Sequence, residues 1–86
     1  MNNVRRKRIK EALQKLEEVQ ALIEEAGGML QEVRDEEEEA YDNMPERLQE
    51  SERGDQMQEN MDALDEAIEA LVEIDFEEIR NLVENL

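Results

Sequence analysis

The chain has 86 residues, with 26 Asp and Glu against 10 Lys and Arg, a net charge of −16, and no His, Cys or Trp. That length holds one domain, and the missing Cys and His exclude a disulfide framework, a Cys/His zinc site and any Cys-His or Ser-His nucleophile. No apolar run approaches the roughly 18 residues of a membrane span, and no secretory leader is read at the start.

The chain opens basic. Arg5, Arg6, Lys7, Arg8 and Lys10 give residues 1–10 a charge of +5, while residues 11–86 hold five bases and all 26 acids, a net −21. The body therefore repels nucleic acid and anionic membrane and suits a partner with a basic surface.

A seven-residue pattern then sets the first helix. Ile9, Leu16, Ile23, Leu30 and Met44 fall at one position, interrupted only by Glu37, and Ala12, Val19, Ala26, Val33 and Ala40 fall three residues later. Such a pattern is an a/d seam, widened here by Leu13, Leu22, Met29 and Tyr41. One helix is expected from about residue 4 to 43, with a break at Gly27-Gly28 as the alternative. Its phase survives the two glycines, which weaken the helix by about 2 kcal/mol relative to two alanines. Glu37 needs Arg34, Arg47 or a base on a partner to occupy a seam position.

Pro45 ends this helix, because proline disfavours helical backbone at Met44 and cannot donate to a preceding turn. Residues 44–51 make the corner, with one turn around Glu46–Gln49 and Leu48 tucked into the hairpin end. Ser51 is placed as the N-cap of a second long helix over about 52–73. Its stripe is Met57, Met61, Leu64, Ile68 and Leu71. The stripe shifts near Ile74, where Asp75 and Glu78 have the spacing of a capping box and Ile74 and Ile79 that of a hydrophobic staple. The chain either restarts there as a helix over about 76–86 or continues with a rotated face.

The expected fold is thus all-α, a long antiparallel helical hairpin with Leu86 returning to Ile9. With 25 large apolar residues besides Met1 and one seam, a hairpin of this size invites completion as a homodimeric four-helix bundle.

Few residues suggest chemistry. Asp35-Glu36-Glu37-Glu38-Glu39 is the densest acidic run, and it lacks the Asp/Asn spacing and glycine of an EF-hand loop. Paired carboxylates are numerous, but acid–base catalysis needs them in unlike environments around a cleft. No phosphate loop surrounds Gly27-Gly28. No enzyme activity, metal or cofactor is expected. The candidate contact residues are Asp35, Glu36, Glu38 and Glu39 for a basic partner and Arg5, Arg6 and Arg8 for an acidic one. The basic cluster has a plainer reading, as compensation for Glu77, Glu78 and Glu84 at the other end of the chain.

The corner Asn43-Met44-Pro45-Glu46-Arg47-Leu48-Gln49-Glu50-Ser51-Glu52-Arg53-Gly54, followed by Leu64-Asp65-Glu66-Ala67-Ile68-Glu69-Ala70-Leu71, resembles a group of small acidic helical proteins of bacteriophages and prophages. That group shares a basic start, a Glu-rich helix and a Pro-Glu-x-Leu-Gln-x-Ser-Glu-Arg corner. The resemblance implies a mobile-element origin and a cytoplasmic protein of a bacterial host; it carries over no functional residue. Three functions compete: a protein-interaction module, a nucleic-acid mimic blocking a host defence factor, and direct nucleic-acid binding through residues 5–10, which the acidic body opposes.

Overall fold

The computed structural model describes all 86 residues and contains four helices and no strand. α1 (Asn3–Asp42) runs unbroken through Gly27-Gly28 and is about 60 Å long at 1.5 Å per residue. Asn2 caps its start, its Oδ1 accepting from the Arg5 backbone N–H at 2.9 Å. Pro45 follows its end, and α2 (Glu46–Gln49) forms the single turn of the corner. α3 (Glu52–Val72) begins at Ser51, whose side chain accepts from the Gly54 N–H. The chain restarts at Asp75, whose Oδ1 accepts from the Glu78 N–H at 2.9 Å and opens α4 (Phe76–Glu84). That bond is half of the expected capping box; Glu78 makes no return bond.

α3 and α4 fold back along α1, giving a hairpin of 68 × 16 × 13 Å. The open end closes where Arg6 Nε donates to the Leu86 carbonyl at 3.3 Å. So thin a body buries little: only Gly54, Met57 and Met61 are buried, all near the corner.

The seam differs from the expected one in its second row. Ile9, Leu16, Ile23, Leu30, Glu37 and Met44 are half-buried, as the heptads require. Their companions, however, are Leu13, Gln20, Gly27, Arg34 and Tyr41, four residues later rather than three. Ala12, Val19, Ala26, Val33 and Ala40 face solvent. Polar partners on α3 account for the choice. Arg34 Nε donates to Asp65 Oδ1 at 3.0 Å, and Gln58 Nε2 donates to the Tyr41 hydroxyl at 2.8 Å. Leu71 lies over Gly27, its Cδ1 3.9 Å from the place a Cβ would take. Rotating α1 by about 50°, half of one residue's 100° step, would bury three alanines and forfeit those contacts.

Glu37 is satisfied by a residue not anticipated for it. Asn60 on α3 donates its Nδ2 to Glu37 Oε2 at 3.2 Å, so the seam carboxylate pairs with an amide rather than a base. Leu48 does not tuck in; it is exposed, because Gly54 and Gln49 fill the inside of the corner.

Candidate functional site

Residues 35–39 do not present one acidic face. Successive residues turn about 100° around a helix, so five in a row point to every side. Arg34 takes Glu38 and lies 3.8 Å from Asp35, which also accepts from Gln31 Nε2 at 2.9 Å. Glu37 faces α3. Only Glu36 and Glu39 are exposed and free of any side-chain partner. Glu36 and Glu38 lie on opposite flanks of α1.

The basic start is not neutralised by the acidic C-terminal segment. Arg5, Arg6, Lys7, Arg8 and Lys10 form no ion pair with a side chain, and the one hydrogen bond they make across the open end goes from Arg6 to the Leu86 main-chain oxygen. The base that does reach across is Arg80 of α4, whose Nη2 lies 3.0 Å from Glu17 Oε1. Arg5 and Arg8 remain exposed and project from the same end of the rod.

A longer feature emerges from the helix register. Glu11, Glu18, Glu25, Glu32 and Glu39 recur at every seventh residue, all exposed, on the side of α1 away from the seam. Glu52, Glu59 and Glu66 repeat the pattern on α3. Ion pairs engage Glu17, Glu18, Asp35, Glu38 and Asp65, five of the 26 carboxylates. A row of charge of one sign, of which only Glu18 on α1 is paired, over a thin, low-dielectric body projects a field well beyond contact distance. The seven-residue spacing of these glutamates was present in the sequence, but the denser run at 35–39 masks it.

Comparison with family models, curated proteins and solved structures finds no match to this chain.

The remaining surface is apolar or shallow. Val19, Leu22, Met29 and Val33 are exposed along one flank of α1. A groove beside Gly27, walled by Ile23, Ile68, Leu71, Ile74 and Phe76, marks the bend between α3 and α4 and is open to solvent. No three carboxylates converge on a cation-sized space, and no helix is long and apolar enough to cross a membrane. The surface offers charge and apolar area over an extended side of the rod.

Proposed function

We propose that this chain is a non-enzymatic protein-interaction module, phage- or prophage-encoded, that acts in the bacterial cytoplasm by binding a host or phage protein through that protein's basic surface. The glutamate ridge Glu11–Glu39 carries the reading. Helix propensity does not demand it, since Lys and Gln serve as well at exposed positions, and solubility needs far less charge of one sign. Charges of this kind raise association rates and select partners more than they tighten contacts. The corner Pro45–Arg53, with its likeness to phage proteins, supports the origin. The test replaces Glu18, Glu25 and Glu32 by Gln. A partner isolated from bacterial lysate and identified by mass spectrometry should then associate more slowly, with a shallower dependence on salt. Association unchanged by the substitutions at low salt would refute the role of the ridge.

A nucleic-acid mimic that blocks a DNA- or RNA-binding defence factor is the second reading, favoured by the row of carboxylates along a rod 68 Å long. One carboxylate per heptad falls about every 10.5 Å, against one phosphate per roughly 3.4 Å along a strand. That sparser spacing ranks it second. A partner released by duplex DNA would reverse the order.

A further inference from the structure

The unused flank of α1 has an internal symmetry that the hairpin does not explain. Taken in order outward from Ala26, its exposed positions match in pairs, each pair equidistant from Ala26 to within one residue. Ala12 corresponds to Ala40, Lys15 to Glu36, Val19 to Val33, and Leu22 to Met29. Size and polarity match in every pair, and the one charged pair is opposite in sign. Leu22 and Met29, 63% and 62% exposed, are the largest apolar side chains in the stripe and flank its centre. From Val19 to Val33 the stripe contains no charge.

A surface that reads the same in both directions along a helix is complementary to itself under a two-fold axis. We propose that this flank binds a second copy of the same chain, with the two α1 helices antiparallel and crossing near Ala26. Ala26 is small and permits close approach of the backbones. Leu22 and Val19 of one copy then pack beside Met29 and Val33 of the other, and Lys15 meets the partner's Glu36 at both ends. A slip of half a heptad sets Lys15 opposite the partner's Val33 or Ala40, still within a turn of the acidic run at 35–39. A parallel pair would instead oppose Lys15 to Lys15 and Glu36 to Glu36.

Helix geometry adds the neighbouring surface. In an antiparallel hairpin, positions one residue before the seam fall on the same side of both helices. On α1 these are the stripe residues, and on α3 they are Ala63, Ala67 and Ala70, also exposed. Large side chains on α1 and alanines on α3 therefore form one broad face, and two such faces stacked give a four-helix bundle. The glutamate ridge stays at the margin of that face. The inference is separate from the choice of basic partner, since it concerns a different flank of α1.

The test is a charge exchange read by sedimentation equilibrium on the full chain. Wild type should sediment at twice the 10.1 kDa chain mass. Lys15→Glu and Glu36→Lys each turn both end pairs from attraction to repulsion, and each should weaken self-association about tenfold. Mixed together, the two variants should recover wild-type affinity. In the mixed dimer the two substituted side chains, opposite in sign, face each other at one end, and the unchanged Lys15 and Glu36 face each other at the other. Both positions are exposed, so circular dichroism should report the same helix content in each variant. Should either lose helix at low concentration, the mixture should regain it. A wild-type chain that remains a monomer at micromolar concentration, or a mixture no tighter than its components, would overturn the proposal. Capture of a basic amphipathic helix by a monomeric wild type would assign the face to that ligand instead.

Discussion

Gly54 stands against the backbone of Gln49 so closely that no side chain fits between them. A Cβ on Gly54 would lie 2.8 Å from the Gln49 Cα and closer still to its carbonyl group. The φ angle at Gly54 is ordinary, so the requirement is one of space. This contact folds the single turn of α2 onto the start of α3 and fixes the angle of the corner. Gly54→Ala should cost about 1–3 kcal/mol, the range for overpacking a tight site. A thermal melt that leaves Tm unchanged would show that the corner yields.

The other two glycines should respond in the opposite direction. Gly28 has open space where a Cβ would sit, and at Gly27 the nearest atom, Leu71 Cδ1, lies at an ordinary 3.9 Å. Each Gly→Ala change should stabilise the protein by about 1 kcal/mol through helix propensity. The double variant should melt several degrees higher. A fall in Tm would mean that α1 needs its flexibility at this point.

Methionines hold the tightest packing. Met57 and Met61 are 9% and 8% exposed, whereas Leu16 and Leu64 are half-buried. Met61→Ala should therefore cost about 2–3 kcal/mol and exceed Leu16→Ala, measured by urea denaturation. The reverse order would place the mechanical centre of the hairpin at mid-length.

Salt should stabilise the fold. Five carboxylates are engaged in ion pairs, while the ridge glutamates other than Glu18 repel one another along α1. Screening at physiological ionic strength reaches across separations of about 8–10 Å and beyond, which includes the heptad repeat. Tm should rise between low and physiological salt. A fall would mean that the Arg34 and Arg80 pairs outweigh the repulsion.

The antiparallel hairpin was legible because its signals are local and agree with one another. The heptads from Ile9 to Met44, Pro45 and the Ser51 cap all point to long helices with one reversal. The rotation of α1 about its own axis was not legible. Rows three and four residues after Ile9 are both partly apolar, and the decision lies with Asp65, Gln58 and Leu71, some 17 to 44 residues further along the chain from Tyr41, Arg34 and Gly27. The same distance hid Asn60 as the partner of Glu37. Asp75 was legible as a candidate cap, but periodicity alone did not choose between a restart and a rotated face.

All three buried residues lie within two turns of α3 beside the corner, and the opposite end is held by half-buried contacts, the Arg80–Glu17 pair and one bond from Arg6 to Leu86. Protection from hydrogen exchange should follow this gradient, greatest around Met57–Met61 and least at the termini. The hairpin then closes like a zipper from its bend, each turn of α3 meeting the turn of α1 that lies next along the rod. Contacts near the bend span short loops and form at small entropic cost, while those at the termini require nearly the whole chain to be ordered first.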